Sequence, residues 1–196
     1  MIPYTHFQFC PNCGGRKIES FKKNGLKCLD CAYVYFHNCA SAAAGIIETK
    51  EGVILMKRRL APKRGYFDLP GGFVGYGESL EVALVREMKE ELHIDIAALR
   101  YFGSFPNTYL YRKVTYFTTD AFFICKPFHL GAMRLSEEIC EVAIFKPEKI
   151  DLEKIAFRSV KEALQKYQSE WVRKKLKKVE NRLRIPFGRP RGRLPR

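Results

Sequence analysis

Two periodicities divide the chain. In ASAAAGIIETKEGVILMKRR, residues 40–59, apolar runs stand on either side of Thr49-Lys50-Glu51-Gly52, which predicts two strands and a turn. Further strands are expected at Leu99–Phe102, Val114–Cys125 and Val142–Phe145. GYFDLPGGFVGYGES, residues 65–79, holds five Gly and one Pro and reads as mostly loop. From Ser79 the apolar positions take helical spacing, at Leu80, Ala83, Leu84, Met88 and Leu92. A longer helical pattern starts near Asp151, carries Ile155, Val160, Leu164, Tyr167 and Trp171 on one stripe, and weakens near Lys174. PFGRPRGRLPR, from Pro186 onward, is expected to be disordered.

The length of 196 residues suits one ordinary domain with a small accessory module, and 46% hydrophobic residues are enough to bury a core. No run approaches the roughly 18 apolar residues that cross a bilayer. MIPYTHFQFC lacks the basic start and apolar stretch of a signal peptide, so a cytoplasmic protein without membrane contact is expected. Charge is unevenly spread. Of the net +14, residues Trp171–Arg196 supply +10, with eleven Lys or Arg against one Glu. Such a tail is either a contact for RNA or another polyanion, or a solvated appendage.

Seven Cys is an odd number, and four of them fall into two pairs of equal spacing. Cys10 and Cys13 form one C-x-x-C and Cys28 and Cys31 another, with fourteen residues between. Two such turns can place four thiolates tetrahedrally around one Zn²⁺, which reads as a structural zinc ribbon over residues 1–38. Gly14-Gly15 suits the turn after the first pair, and Asn24-Gly25 a hairpin turn before the second. A redox dithiol would need only one of the pairs. Arg16, Lys17, Lys22, Lys23 and Lys27 make the ribbon basic, as a phosphate contact or as a solvated face. Cys125, in the apolar run DAFFIC, is expected in the core. His37 and Cys39 lack the further ligands that a second metal site requires.

The helix that begins at Ser79 carries the chemistry. Glu87, Glu90 and Glu91 stand at i, i+3 and i+4 and share one helical face. Three clustered carboxylates repel one another, and a divalent cation removes the repulsion. Hard oxygen ligands suit Mg²⁺ or Mn²⁺, which bind a few carboxylates together with substrate phosphates. The Gly-rich loop before the helix lets backbone approach a ligand closely. A loop folded back on the helix would bring Glu78 to Arg86.

Gly72, five residues, Glu78, seven residues, then Arg86-Glu87-Met88-Lys89-Glu90-Glu91 resembles the signature of the Nudix hydrolases, with His93 where the signature ends in Gly. The resemblance implies an α/β fold, an α/β/α sandwich around a mixed sheet over residues 39–170, after the ribbon and before a basic helix end and disordered tail at 171–196. It implies hydrolysis of nucleoside diphosphates linked to a further group, with divalent metal ions. Carried over by position, Glu87, Glu90 and Glu91 become metal ligands, with the Gly72 carbonyl as a backbone ligand, and Arg86 and Glu78 an orienting ion pair. A further carboxylate often completes such sites. SEEICEVAIF offers Glu137, Glu138 and Glu141, and Glu141 is preferred because it immediately precedes an apolar strand. Glycine at position 93 would leave the helix in a left-handed conformation, which His93 can adopt only at some cost.

A zinc ribbon ahead of such a domain is similar to the plan of the NADH pyrophosphatases. Their Ser-Gln-Pro-Trp-Pro-Phe-Pro segment is replaced here by GSFPNTYLY, residues 103–111, which keeps a Ser and a Phe-Pro but lacks the Gln and Trp. Gly71 and Gly72 are candidates to hold the pyrophosphate, and Phe73, Phe105 and Tyr109 to stack on a base. ADP-ribose or an NAD(H)-like small molecule is the leading substrate class. An RNA 5′-end pyrophosphohydrolase and a nucleotide-sensing regulator that binds nucleic acid are the alternatives. The family also contains homodimers.

Overall fold

The computed structural model describes residues 7–131 and 133–183. The segment Pro186–Arg196, expected to be disordered, lies outside them.

The N-terminal unit is an antiparallel sheet of β1 (Ile18–Phe21), β2 (Gly25–Cys28) and β3 (Val34–Phe36). Gly14 takes the left-handed turn after the first Cys pair, with φ 75°. The reversal between β1 and β2 spans Lys22-Lys23-Asn24, with Lys22 at φ 53°, so Asn24 lies in the turn and Gly25 opens β2. Gly25 matters for another reason: a Cβ there would stand 2.7 Å from the Phe21 carbonyl oxygen.

The larger unit contains β4 (Ala40–Ile47), β5 (Val53–Arg58), β6 (Phe67–Asp68), β7 (Gly71–Phe73), α1 (Leu80–Leu92), β8 (Ile96–Tyr111), β9 (Val114–Pro127), β10 (Ile139–Phe145) and α2 (Arg158–Leu183). One sheet has the order β7-β4-β9-β8 and is mixed, since β4 and β9 run parallel while its other pairs are antiparallel. A second, antiparallel sheet has the order β10-β5-β6. The turn after β4 forms where the sequence places it, but β4 and β5 then part into different sheets and share only the Glu48–Val53 bridge.

Alternation along β9 sorts the core onto two faces. Phe122 and Ile124 pack with Val160, Ala163, Leu164 and Tyr167 of α2. Ala121, Phe123 and Cys125 pack with Leu84, Met88 and Leu92 of α1. The two helices therefore cover opposite faces, and the result is an α/β/α sandwich. Close packing of β4 beneath α1, on the second of these faces, depends on Gly45, where a Cβ would approach the Cys125 sulfur to 2.7 Å.

Three local outcomes differ from the pattern in the sequence. β8 has 16 residues, far beyond Leu99–Phe102, because Gly103 and Pro106 continue it on the edge of the sheet. An edge strand can spare the proline N–H. The Gly-rich loop contributes the short strands β6 and β7. α2 begins at Arg158, seven residues after Asp151, and runs unbroken past Trp171 to Leu183. No described helix is long and apolar enough to cross a membrane.

Candidate active site

α1 is started by Ser79, whose hydroxyl accepts a hydrogen bond from the Val82 N–H at 3.3 Å. The loop before it folds back, as the spacing predicts, and Glu78 meets Arg86 in a two-pronged ion pair. Arg86 Nε lies 2.7 Å from Glu78 Oε1 and Nη2 lies 3.0 Å from Oε2. The Gly75 N–H adds a third hydrogen bond to Glu78 at 2.8 Å. Arg86 and this N–H hold the Glu78 carboxyl well below its ordinary range, at about 2. Arg86 also donates to the Phe73 carbonyl at 3.1 Å, so one side chain fixes both ends of the loop to the helix.

β7 brings the two glycines under the carboxylate face. The Gly71 N–H donates to Glu91 Oε2 at 2.8 Å. A Cβ on Gly72 would stand 2.6 Å from the Glu87 carboxyl carbon, so only glycine admits that side chain. Gly71 has φ 145°, and a Cβ there would stand 2.6 Å from Ala44 Cα. Gly71→Ala should therefore cost about 3 kcal/mol from backbone strain and overpacking. Thermal denaturation measures this, and an unchanged midpoint would contradict the close approach.

Burial raises the Glu87 carboxyl and pushes that of Glu91 up to about 8, against the pull of the Gly71 N–H. Glu90 is exposed. The three carboxylates are not gathered on one point. Arg86 Nη1 sits between Glu87 Oε1, at 2.7 Å, and Glu90 Oε2, at 3.1 Å. The donor set fits a hard divalent cation, since desolvated carboxylates on one helix face need a positive charge and Arg86 already supplies one. A cation on Glu87 would compete with Arg86 for the same oxygen.

Glu87, Glu90, Glu91, Gly71, Gly72, Phe73 and Tyr109 all line one cavity of about 440 Å³. That is a volume suited to a small ligand. The Phe73 and Tyr109 rings meet edge to face at 5.6 Å.

Residues 38–167 match the NUDIX domain. The chain belongs to the Nudix family. It is 33% identical over 109 residues to the NAD-capped RNA hydrolase NudC of Vibrio atlanticus, covering 54% of this chain and 40% of that protein. It is 34% identical over 140 residues to the protein of the same name from Mannheimia succiniciproducens, covering 68% of this chain and 49% of that one. The chain thus spans less than half the length of these curated relatives. A Nudix hydrolase from Nitrosomonas europaea superposes with a TM-score of 0.65 at 26% identity, over 84% of this chain and 92% of that one.

Two residues expected at the Nudix site lie elsewhere. Phe105 does not line the cavity. Its ring packs 5.8 Å from that of Phe122 against the α2 core, two residues along β8 from Asn107, which does face the cavity. Glu141 is exposed and pairs with Lys57 at 3.1 Å, because it sits opposite Lys57 in the β10–β5 register. Glu138, just before β10, lines the cavity instead. The irregular register between Ile139 and Glu141 moves the strand's alternation past the position that the sequence favours.

Sequence reasoning missed five further polar residues in the cavity: Arg58, Asp68, Asn107, Thr118 and Asp120. Asp68 is buried and joined to Arg58 at 3.0 Å; burial pushes its carboxyl up to about 6, against the Arg58 charge. Asp120 stands at the head of DAFFIC in phase with buried Phe122 and Ile124, and that phase is the signal that was available.

In the ribbon, the sulfurs of Cys10, Cys13, Cys28 and Cys31 lie within 4.8 Å of one another, the only such cluster among the described residues. Cys10–Cys31 and Cys13–Cys28 are both 3.7 Å apart. A tetrahedral zinc with bonds of about 2.3 Å sets its sulfurs about 3.8 Å apart, so the cluster is compatible with Zn²⁺. The Asn12 amide and the Tyr33 N–H lower the Cys31 thiol, while, against the Gly15 N–H, the crowding of the four sulfurs raises that of Cys13, so without a metal the cluster does not hold all its thiols as thiolates.

Proposed function

We propose that the chain is a Mg²⁺- or Mn²⁺-dependent pyrophosphohydrolase that cleaves a nucleoside diphosphate linked to another group, with ADP-ribose and NAD(H)-like molecules as the leading substrates. One observation carries this reading: the Glu87-Glu90-Glu91 face and the two glycines of β7 line the same cavity as an aromatic pair. In this reading water attacks one phosphorus, the bridging P–O bond breaks, and a nucleoside monophosphate and the phosphorylated remainder leave. The metal, when bound, neutralises the pyrophosphate and acidifies water. Glu87, Glu90 and Glu91 hold it, with the Gly72 carbonyl as a further candidate. Gly71 orients Glu91 through its N–H, and Arg86 with Glu78 positions the loop. Glu138 is better placed than Glu141 to supply an additional carboxylate.

A second reading, removal of a 5′-NAD cap from RNA, draws on the activity named for the two relatives and on exposed Arg173, Lys174, Lys175 and Lys177 along α2. The ribbon at 1–38, the Nudix unit at 39–170 and the basic segment at 171–196 would then divide metal-held support, chemistry and RNA contact.

The test is product analysis across ADP-ribose, NADH, NAD, nucleotide sugars, dinucleoside polyphosphates and NAD-capped RNA, with Mg²⁺ and with Mn²⁺. Monophosphate release from a small dinucleotide is the expected result. Preference for capped RNA that weakens steeply with salt would favour the second reading. Inactivity across the panel in folded protein would overturn both.

A further inference from the structure

The reaction just described leaves one side of the cavity unassigned, where β8, β9 and α2 meet. Thr118 and Asp120 of β9 are 4% and 8% exposed, and both line the cavity. Thr118 Oγ1 and Asp120 Oδ1 are buried and have no hydrogen-bond partner. The second oxygen of Asp120 is saturated: Ser159 Oγ donates to it at 2.5 Å and Asn107 Nδ2 at 3.0 Å. Both donors are neutral. The other buried carboxylate of the cavity, Asp68, differs in having Arg58 beside it at 3.0 Å.

A buried carboxylate oxygen without a donor is costly, and the cost is relieved by whatever N–H enters beside it. In the reading above the metal that neutralises the pyrophosphate sits on the Glu87-Glu90-Glu91 face, so the pyrophosphate is placed at that end and a different part of the substrate at this one. Tyr109 and Phe157, whose rings are 5.6 Å apart, line the same cavity. Tyr111 stacks on one face of Tyr109 at 6.4 Å and the Arg58 guanidinium covers one face of Phe157 at 5.0 Å, so each ring has its other face for a planar group. An acceptor-only oxygen next to aromatic faces selects a flat ring that carries an NH₂ group.

We propose that Asp120, with Thr118, is the specificity subsite for the substrate's base, and that it accepts a hydrogen bond from an amino or carboxamide NH₂. This rests on the pyrophosphohydrolase reading for its choice of ligand but not for its test. Adenine and nicotinamide both carry the required group, and two ligand pairs separate them.

The experiment is equilibrium titration of the full chain, in Mg²⁺, with mononucleotides that contain no pyrophosphate bond. AMP is compared with purine riboside 5′-monophosphate, which lacks the 6-amino group. Nicotinamide mononucleotide is compared with nicotinic acid mononucleotide, which lacks the amide. In at least one pair the NH₂-bearing member should bind about tenfold tighter or more, as a charge-assisted hydrogen bond requires. The pair that discriminates identifies the base. Asp120→Asn, and independently Thr118→Val, should shrink that preference to about threefold or less, with the Thr118 variant guarding against loss of fold in the first. Equal binding within both pairs, or a preference that survives in both folded variants, overturns the subsite. Preferential binding without hydrolysis of any pyrophosphate would refute the reaction and leave the subsite standing. Hydrolysis without preference would do the reverse.

Discussion

Glu91→Gln should lower turnover of the best substrate by about a hundredfold or more and leave the fold intact. Loss of a residue that merely supports a metal ligand already costs about 10–100-fold, and a ligand should cost no less. The variant suits the question because the amide oxygen of Gln can still accept the Gly71 N–H that Glu91 receives at 2.8 Å. What disappears is the charge. Burial pushes the carboxyl up to about 8, so near neutral pH the metal-free protein carries it largely protonated, Gln resembles that neutral form, and the thermal midpoint of the metal-free variant should not fall. Glu90→Gln probes the same site from the exposed side, where the recorded partner is Arg86 at 3.1 Å. Steady-state kinetics with Mg²⁺ and zinc analysis of both variants provide the check. Wild-type turnover in both would remove the trio from the chemistry.

The second large effect concerns the ribbon. Cys28→Ser should abolish the single zinc expected per chain and expose residues 7–37 to protease while the domain matched at 38–167 stays resistant. Among the described residues of the ribbon, the buried apolar side chains are Cys10, Leu26 and Cys28, two of which are themselves in the thiol cluster. So small a core cannot offset the ordering of about thirty residues at roughly 1–2 kcal/mol each. Zinc coordination of about 10–16 kcal/mol can make up the difference. Limited proteolysis with mass spectrometry, beside metal analysis of wild type and variant, decides it. A ribbon that stays protected without zinc would show that packing alone holds it.

The parts legible in the sequence were those with fixed offsets. The C-x-x-C pairs and the Gly72–Glu91 box each depend on local geometry, so spacing alone places their side chains. The helical spacing from Ser79 to Leu92 marked the extent of α1, while the Ser79 cap and the left-handed exit at His93, with φ 55°, are details the structure adds. β8 was hidden because Gly103 and Pro106 disfavour strands in general and are tolerated on an edge, a fact of topology. Phe105 and Glu141 are placed away from the cavity for different reasons. Phe105 shares the face of β8 with Asn107 but lies further along the strand, over the α2 core, whereas the irregular register before Glu141 decides which residue near β10 faces the cavity. Asp68 and Asp120 come from strands far apart in the chain, and only the sheets bring them into one cavity.

The end of α1 has a mechanical meaning beyond its own cap. Three hydrogen bonds join it to the segment that leads to Glu138: Ser136 N to the Glu91 carbonyl at 3.0 Å, Arg134 N to the Leu92 carbonyl at 3.3 Å, and the His93 ring to the Arg134 carbonyl at 3.0 Å. The last turn of the helix and the approach to β10 are thereby clamped as one piece. A carboxylate 47 positions after Glu91 is tied, through these bonds, to the same turn that carries Glu91. Histidine at the place of a glycine is what supplies the side-chain rivet in that clamp.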